Sequence, residues 1–400
     1  MQELISVKQA MHVVDSACSI QPAVTTPADE ARGMTTARQI RSSINVPPFR
    51  NSAMDGFAVR TEDISAGMAV RIVGEIPAGA SELPTSNKGE CVRIMTGAPV
   101  PPWADAVIPI EWVEDPEAAV IVPTRGVEIG ANVRGEGGDL RVGSVLLETG
   151  VTLDTYALSM LAYGGEDSVS VRVPPTVAII TTGDELVQPG RQLKPGQIYN
   201  SNGRALQGAC IDAGAVPLAP VHANDSAEDI DRAIAEVRSA DMIIFSGGVS
   251  VGKYDLVKQV LDGLRFDMLF WKVRQRPGKP LAFGRLGDQL VFGLPGNPVS
   301  SAVCFDQYVR PAIGHMLGRS QPRRTQQNAK LEGSLEKSPN LHYFARGQAT
   351  TEEDAILRVR LTGKQGSNIF SSLNESNCLI HLPEGVSVVS DGTIVAIEYI

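Results

Sequence analysis

The pattern of hydrophobic and polar positions becomes regular after Pro174 and Pro175, where short apolar runs alternate with amphipathic segments. The runs are short and partly β-branched, which is typical of buried strands, and the segments between them repeat apolar positions at helical spacing. Strands are predicted at 177–181, 216–221, 242–245, 268–273 and 290–294. Helices are predicted at 204–213, 227–239, 256–264 and 299–317. This alternation predicts a mainly parallel sheet with helices on both faces, and hence a three-layer α/β domain at 174–325.

The pattern before Pro174 is less regular and predicts two units, one inserted into the other. Apolar positions at helical spacing predict a helix near the N-terminus, a second at 28–44 and another at 153–163. Between them, the chain is rich in Pro, Gly and short β-like runs, which lie at 56–60, 70–73, 90–94 and 106–110. We therefore expect a scaffold domain made of 1–45 and 141–173, with a β module at 46–140 inserted into it.

The last part of the chain predicts a small all-β unit. A polar, basic tract at 318–330 has the composition of a linker. Residues 331–400 contain strands such as 356–361 and 393–399 with glycine turns, a pattern typical of a small β-barrel or sandwich. We expect a C-terminal β-barrel domain at 326–400, which makes the predicted fold class multidomain α/β plus β.

Composition restricts the functions that this fold can carry. Of the 400 residues, 43% are hydrophobic and 20% are charged, which is ordinary for a globular protein with a large core. A net charge of −9 and a pI near 5.2 argue against a general nucleic-acid or anionic-membrane surface. We therefore expect neither a nucleic-acid nor a membrane partner, and any anion site must be local.

The cysteines and the N-terminus favour a cytoplasmic protein. The five cysteines are widely separated and lack CxxC spacing, so neither a disulfide framework nor a zinc site is favoured. They lie at positions 18, 91, 210, 304 and 378. The N-terminus has an early Glu3 and no apolar core of a signal peptide, and no apolar run approaches the length of a membrane span.

One stretch, residues 241–255, organises the candidate chemistry. Its apolar run ends abruptly at Ser246, and Gly247 and Gly248 begin a glycine-rich turn before the next predicted helix. Asp255 stands where it could cap that helix. Unpaired backbone N–H groups and the helix dipole would make such a turn a pocket for an anion. A turn that serves only folding explains the same pattern, so the stretch alone does not decide between the two.

Acidic residues gather at the same predicted sheet edge. In open α/β sheets, ligands bind beyond the carboxyl ends of the strands, so the segments that follow the strands should lie near one another. These segments bring Asp184, Glu185, Asp225 and Asp255 to one edge. Ordinary capping of helix N-termini also accounts for Asp225 and Asp255 taken singly.

A basic run accompanies these acids. Residues 268–285 contain five basic residues and no acid, in a protein whose net charge is −9. Strand alternation places three of them, Lys272, Arg274 and Arg276, on one side. A solvated strand face would explain them, but the run continues into the stiff turn PGKP, which would hold Lys279 near the glycine-rich turn. Carboxylates beside a cationic pocket favour Mg²⁺ and phosphoryl chemistry.

The motifs do not support other common sites. The chain has no GxxxxGK[ST] sequence and no GxGxxG turn after a strand, which argues against a P-loop and a dinucleotide site. Its five histidines stand in neither an HExxH nor a nucleophile-elbow setting, so hydrolase triads are only weakly supported.

Seven short motifs carry a resemblance to a known family. They are NSAMDGFAV (51–59), RIMTGAPVP (93–101), TTGDEL (181–186), YNSNG (199–203), SGGVSVGKYD (246–255), PGKP (277–280) and GLPGNPVS (293–300). In this order they resemble the molybdopterin molybdenumtransferase (MoeA) family, whose eukaryotic relatives include the gephyrin E domain. The resemblance covers nearly the whole chain and implies four domains and a homodimer. It also implies insertion of molybdate into adenylylated molybdopterin with Mg²⁺ and release of AMP, with an adenylyltransferase partner and acceptor molybdoenzymes.

The resemblance further implies a site in a cleft between the α/β domain of one subunit and the β module of the other. The implied catalytic residues are Asp55, Thr96, Asp139, Glu185, Asp225 and Asp255, of which Glu185, Asp225 and Asp255 are implied metal ligands. The implied substrate and anion contacts are Ser246, Gly247, Gly248, Ser250, Lys272, Arg276, Lys279, Pro295, Pro298, Ser300, Arg346 and Ser371. Arg276 stands where the family often has lysine, and its broader planar fork alters the oxyanion geometry that the family pattern implies.

Two alternative functions stay open. A molybdopterin adenylyltransferase uses a similar α/β domain for an earlier step and would consume ATP. A non-catalytic molybdopterin-binding scaffold would tolerate the loss of Glu185 and Asp255. The long chain, with its β module and C-terminal domain, favours the transferase.

Overall fold

The computed structural model describes residues 2–248 and 256–400, and its largest element is a mixed sheet. In spatial order its strands are Gln2–Ile5, Asp267–Val273, Ala282–Leu286, Gln289–Leu294, Met242–Ser246, Thr176–Thr182 and Val216–Pro217, and Val221–Ala223 also pairs with Thr176–Thr182. The pairings are parallel except for the two on either side of Ala282–Leu286. The predicted mainly parallel sheet is confirmed.

Two hydrophobic cores cover the two faces of this sheet. Alternate residues of the strand Met242–Ser246 point to opposite sides, so that Ile244 joins one core while Ile243 and Phe245 join the other. The first core is covered by the helices Val7–Ala17, Ser201–Ala213, Pro298–Cys304 and Arg310–Met316, with a π-helical turn at Phe305–Val309. The second is covered by the helices Ala227–Glu236 and Leu256–Gly263. The three-layer arrangement is therefore confirmed.

The N-terminal residues differ from two expectations. The strand Gln2–Ile5 pairs with Asp267–Val273 at the edge of the large sheet, and the buried face of the helix Val7–Ala17 joins the first core. These residues thus pack with the α/β unit, although the sequence grouped them with the scaffold. The predicted helix at 28–44 is wrong, because Gly33 adopts φ +81° and Thr36 bonds to Val151 across the domain. Only the short 3₁₀ turn Ala28–Glu30 and the strand Ile40–Arg41 form there.

The remaining N-terminal residues form two small units. In the scaffold, Ala23–Pro27 pairs with Ser168–Arg172 and Ile40–Arg41 pairs with Val145–Leu147, beside the helix Thr155–Tyr163. In the β module, a five-stranded sheet runs in the order Ala106–Pro109, Gly56–Val59, Glu90–Ile94, Val70–Ile76 and Val120–Ile121. The short strands Asn51–Ser52 and Val133–Arg134 pair beside it, with 3₁₀ turns at Thr61–Asp63 and Ile110–Trp112. The domain boundaries themselves stay predictions.

The C-terminal residues form a closed barrel. Its strands follow one another in the order His342–Thr351, Leu357–Leu361, Gln326–Glu332, Ile394–Tyr399 and Cys378–Leu382, and the last pairs again with the first. The pair Leu335–Glu336 and Val388–Val389 and the short helix Ser371–Asn374 complete it. The strand Gln275–Arg276 leaves the α/β unit and adds to the barrel beside His342–Thr351. Within 2–248 and 256–400, no helix is both long and apolar enough to cross a membrane.

Candidate active-site cleft

An open cleft of about 620 Å³ lies where the strands of the large sheet end. Its position follows from parallel topology, because the loops that follow parallel strands converge at their carboxyl ends. Of the predicted site residues it brings together Glu185, Asp225, Ser246, Gly247, Gly248, Pro295, Pro298 and Ser300. Residues that the sequence did not assign to the site line it as well, and they include Thr182, Asn200, Asn202, Asn297 and Pro280.

The floor of the cleft is a close contact between glycines. Gly247 and Gly248 adopt φ +98° and φ +68°, which glycine takes without a Cβ penalty. A Cβ on either residue would lie 2.9 Å from the hydroxyl oxygen of Thr182, and a Cβ on Gly296 would lie 3.6 Å from the Cα of Gly247. The Thr182 hydroxyl is buried and has no hydrogen-bond partner within the described part of the chain. The floor is therefore closely packed backbone, in which the Gly247 N–H donates to the Leu294 carbonyl at 3.1 Å, with one buried hydroxyl that could bond to a ligand.

The motif YNSNG joins the cleft to a helix. Asn200 caps the helix Ser201–Ala213, because its Oδ1 accepts a hydrogen bond from the Gly203 N–H at 3.1 Å, and its Nδ2 donates to Thr181 Oγ1 at 2.8 Å. Asn202 Nδ2 donates to Ser246 Oγ and to the Gly296 carbonyl, each at 2.8 Å. Sequence reasoning missed these two asparagines as site residues. Their place directly before and inside a helix start was the available signal.

Two carboxylates stand at the rim. Glu185 and Asp225 are exposed and line the cleft, and Asp184 accepts a hydrogen bond from the Asp225 N–H at 3.0 Å, which ties the two loops together. Their oxygens suit Mg²⁺, which is commonly held by one or two carboxylates together with substrate phosphates. Among residues 2–248 and 256–400, no three His, Cys, Asp or Glu side chains form a metal site. The predicted Asp255 and Ser250 lie outside the described residues.

The three basic residues that strand alternation placed on one side have different partners, and their common face stays a prediction. Lys272 adopts φ +70° and its ammonium lies 3.9 Å from the centre of the Trp271 ring. Arg274 forms an ion pair with Glu384 of the barrel at 3.2 Å, and Arg276 donates to the Tyr343 hydroxyl at 2.9 Å. The C-terminal barrel thus engages the two arginines. Neither Lys272 nor Arg276 is among the residues that line the cleft.

Lys279 is the residue directly before Pro280 in the sequence. Its side chain is exposed, and the following residue, Pro280, lines the cleft. The Lys279 carbonyl accepts hydrogen bonds from the N–H groups of Val273 and Leu281 at 3.0 and 3.1 Å. The turn therefore has a fixed backbone, and its Pro280 lines the cleft, whereas the exposed Lys279 is not itself among the lining residues.

The barrel residues have different environments. Arg346 is only 1% exposed, and it donates to Ser372 Oγ at 3.0 Å and to the carbonyls of Lys364 and Gly366 at 3.3 and 3.1 Å. Burial, and then the charge of Arg276, lower the pKa of Arg346. Ser371 is exposed at the start of the helix Ser371–Asn374. Arg346 thus holds the loop after residue 363, and this loop reaches the cleft wall where Asn297 Nδ2 donates to Ser367 Oγ at 3.2 Å.

The predicted residues of the N-terminal half lie in and beside the β module. The Asp55 carboxylate accepts hydrogen bonds from the Thr96 N–H at 2.6 Å and from its hydroxyl at 2.7 Å, and the hydroxyl bond is the main reason that the pKa of Asp55 is lowered. Asp139 accepts a hydrogen bond from the Tyr163 hydroxyl at 2.8 Å, which raises the pKa of that phenol. Asp55, Thr96 and Asp139 are not among the residues that line the cleft, so their role stays a prediction.

Sequence profiles of one family match almost the whole chain in three consecutive parts. Residues 5–165 match the MoeA N-terminal region (domain I and II). Residues 178–315 match the "Probable molybdopterin binding domain", and residues 328–400 match the MoeA C-terminal region (domain IV).

Full-length relatives and a solved structure agree with these matches. The chain is 38% identical to the molybdopterin molybdenumtransferase of Haemophilus influenzae over 381 residues, covering 92% of each chain. It is 33% identical to molybdopterin molybdenumtransferase 2 of Mycobacterium tuberculosis, covering 97% of this chain and 98% of that one. A crystal structure of the molybdopterin biosynthesis MoeA protein from Pyrococcus horikoshii is 30% identical and superimposes with a TM-score of 0.82 over 99% of both chains. These relatives do not favour the adenylyltransferase and scaffold alternatives.

Proposed function

Because the chain belongs to the molybdopterin molybdenumtransferase family and acts as an enzyme of molybdenum cofactor biosynthesis, we propose that its cleft binds adenylylated molybdopterin and molybdate. The proposed reaction inserts molybdenum into the dithiolene of the pterin and releases AMP. One observation carries the assignment of the cleft: the glycine floor, two carboxylates and the turn bearing Lys279 converge where the strands end. The cytoplasmic location stays a prediction.

Different residues of the cleft supply different groups for binding an anionic substrate. The missing Cβ atoms at Gly247 and Gly248 let the turn pack against Thr182, which fixes the turn where it lines the cleft and where the phosphate oxygens are proposed to bind. The buried Thr182 hydroxyl, which has no partner within the described residues, is a further hydrogen-bonding group at the cleft, and the proposal takes the exposed Lys279, which precedes the lining residue Pro280, as the source of positive charge. These groups bind and orient, so this protein's contribution to the rate is positioning and electrostatic stabilisation.

A magnesium ion fits the donor set at the rim. Glu185 and Asp225 both line the cleft and offer carboxylate oxygens, and Asp255 completes the proposed set of ligands. Bound Mg²⁺ would neutralise the pyrophosphate so that AMP becomes a better leaving group. The protein's part is to keep both carboxylates facing the cleft, and the hydrogen bond from Asp225 to Asp184 supports that arrangement.

The proposed site is shared between two subunits. Asp55 and Thr96 form a preorganised, exposed pair, yet they do not line the cleft of their own chain. A homodimer in which the β module of one subunit faces the cleft of the other would bring this pair to the substrate. The site would then be incomplete in a monomer.

Release of AMP tests the proposed function directly. Purified protein is incubated with adenylylated molybdopterin, molybdate and Mg²⁺, and AMP is measured by chromatography. We expect release that needs all three additions and that falls by about 100-fold or more in Asp225→Asn, because a carboxylate facing the pyrophosphate is lost. Asp231→Asn, which changes an exposed acid on the helix Ala227–Glu236, serves as the matched control. AMP at the level of a protein-free mixture would refute the proposal.

A further inference from the structure

A buried hydrogen-bond network joins Gln275 to Gly278, Cys304 and Tyr308 beside the turn that carries Lys279, and it is called the relay below. Gln275 is 0% exposed although arginines stand on both sides of it in the chain. Its Nε2 donates to the Gly278 carbonyl at 3.0 Å and to Cys304 Sγ at 3.3 Å, and its Oε1 accepts a hydrogen bond from the Tyr308 hydroxyl. A buried amide that makes all these bonds has one orientation, because any rotation would leave a buried polar group unpaired.

The turn lies directly against this relay. Gly278 adopts φ +84°, and a Cβ at this position would overlap the sulfur of Cys304 and lie 2.9 Å from Gln275 Nε2. Only glycine fits so close a contact with a positive φ. The backbone between Arg276 and Lys279 is therefore held by the side chain of Gln275.

The other end of the relay connects to the cleft wall. Tyr308 belongs to the π-helical turn Phe305–Val309, which continues the helix Pro298–Cys304, and the first residues of that helix line the cleft. Tyr308 is completely buried, and this burial raises the pKa of its phenol well above the ordinary value. Its hydroxyl thus stays protonated and donates to Gln275 at any physiological pH.

The C-terminal barrel holds the opposite side of the turn. Gln275 and Arg276 pair with His342 and Tyr343 as a parallel strand, and the Arg276 guanidinium donates to the Tyr343 hydroxyl. The turn is fixed between the barrel and the relay, while the Lys279 side chain remains exposed. Small movements of the relay would displace this cation relative to the cleft.

We propose that Gln275 and Tyr308 are positioning residues that set the affinity for the tetrahedral oxyanion substrate by fixing the turn from Arg276 to Lys279. An apolar pair of similar size would fill the same space, but it would leave the buried Gly278 carbonyl without the donor that Gln275 supplies. The inference rests on the proposed function, since it takes molybdate as the anion that Lys279 meets.

The test compares single variants with an apolar pair. Tyr308→Phe keeps the ring but leaves the Gln275 carbonyl oxygen unpaired, so we expect the KM for molybdate to rise about tenfold while kcat stays within about twofold. The KM for adenylylated molybdopterin is expected to stay unchanged. Gln275→Met with Tyr308→Phe removes both partners of the bond between these two side chains but leaves the buried Gly278 carbonyl with only the Cys304 thiol at 3.6 Å, so the variant should unfold at a lower urea concentration and, where it is folded, show the same raised KM.

Two further variants set the largest and the smallest expected change in molybdate affinity. Lys279→Gln removes the cation and sets the largest loss of molybdate affinity. Gln289→Met changes another glutamine that bonds to backbone carbonyls, at the opposite end of the strand Gln289–Leu294, and should leave the KM unchanged. Calorimetric titration of each protein with molybdate alone gives a binding constant that does not depend on turnover.

The outcomes separate the two proposals. Lack of AMP release by the unchanged protein would overturn the proposed function. Normal release by the unchanged protein, together with an unaltered molybdate KM and binding constant in the folded double variant, would overturn the positioning role alone. Equal losses for both substrates would also overturn it, because a general loss of structure would then explain the change.

Discussion

At the scale of single residues, the cleft depends on glycines at which a Cβ atom would come too close to neighbouring atoms. Gly247 and Gly248 pack against Thr182, and Gly296 packs against Gly247, so three backbone segments come close together beneath the cleft. Their role is steric and conformational, because a Cβ at Gly247 or Gly248 would clash with Thr182. The chemistry of this floor therefore depends on missing Cβ atoms as much as on charged groups.

Gly247→Ala should harm both stability and activity. The new Cβ would lie 2.9 Å from the Thr182 carbonyl and hydroxyl oxygens, at φ +98°. We expect a loss of about 1–3 kcal/mol in the free energy of unfolding, since alanine is strained at such a φ, together with loss of AMP release. Gly208→Ala is the control, because Gly208 is exposed inside the helix Ser201–Ala213 with nothing within 4 Å of a new Cβ. That variant should gain about 0.5–1 kcal/mol and keep its activity. A stable, active Gly247→Ala protein would contradict the steric account of the floor.

Residue types and spacing predicted part of this site. The glycine-rich turn and the gathering of Glu185 and Asp225 at one edge followed from strand topology, and the cleft contains them. The left-handed backbone at Lys272 was not predicted, because it leaves no mark in a hydrophobic pattern. The contacts of both arginines with the barrel depend on how distant parts of the chain pack.

At the scale of elements, the start of the helix Ser201–Ala213 forms hydrogen bonds to several segments that line the cleft. Asn200 bonds to the neighbouring strand through Thr181, and Asn202 bonds to the two loops at Ser246 and Gly296. A helix start normally needs one cap, whereas this one also links the ends of two strands and the loop that follows a third. The helix therefore fixes the loops that hold the ligand.

Asn200→Ala should separate this function from ordinary capping. The variant loses a cap and leaves Thr181 in a buried site without its donor, so we expect the free energy of unfolding to fall by about 2 kcal/mol and AMP release to fall as well. Ser226→Ala removes the exposed cap of the helix Ala227–Glu236 and should cost about 1 kcal/mol without a loss of activity. Urea unfolding and AMP release measure the two effects. Full activity in folded Asn200→Ala would show that the cap does not shape the cleft.

At the scale of the whole molecule, the barrel and the α/β unit meet at buried polar groups. Glu398 accepts hydrogen bonds from Gln307 and Gln326 at 2.9 Å, and its carboxylate lies 3.3 Å from the His381 ring. Burial raises the pKa of Glu398, but these partners together outweigh burial and hold it at about 2. This stabilisation is fully present above the ordinary pKa of the carboxyl group and is lost as the pH falls towards 2. The interface is therefore sensitive to acid.

His342→Phe should remove part of this sensitivity at milder pH. Burial, then the charges of His381 and Lys337, lower the pKa of His342 from 6.5 to about 4, so the folded protein resists the proton that the unfolded chain binds. Stability should fall as the pH drops from 6.5 towards 4, by about 2 kcal/mol for this group at about pH 5. Phenylalanine fits beside Phe344, whose ring lies 4.5 Å from that of His342. Urea unfolding at about pH 7.5 and about pH 5 should show a smaller drop in the variant, while exposed His222→Gln should behave as the unchanged protein. An equal drop in His342→Phe would contradict the assignment.

The architecture was predictable where patterns are local. Alternating strands and helices predicted the three-layer domain, and β-like spacing predicted the barrel. The strand Gln2–Ile5 was not assigned to the large sheet. It pairs with Asp267–Val273, which lies far away in the sequence, and such a pairing does not change the hydrophobic pattern of either strand. The closure of the barrel between His342–Thr351 and Cys378–Leu382 is non-local in the same way, although a barrel or sandwich was expected from the strand pattern.

The proposed sharing of the site between subunits can be tested with inactive variants. Asp55→Ala and Glu185→Ala each change an exposed residue, in the β module and in the cleft, so both should fold and both homodimers should be inactive. If the site takes Asp55 from one subunit and Glu185 from the other, a mixed dimer has one site with both changes and one site with none. Exchange of subunits at equal concentrations should therefore restore about a quarter of the unchanged activity.

A site built within one subunit predicts a different result. Every subunit of the mixed dimer would then carry one damaged site, and AMP release would stay at background. A mixture of Glu185→Ala with Asp225→Ala is the matched control, because both residues line the same cleft and no exchange can assemble an intact one. Restoration in the first mixture but not in the second would place Asp55 opposite the cleft of its partner. Failure of both mixtures, with subunit exchange verified by mass spectrometry, would place the chemistry of Asp55 outside a shared site.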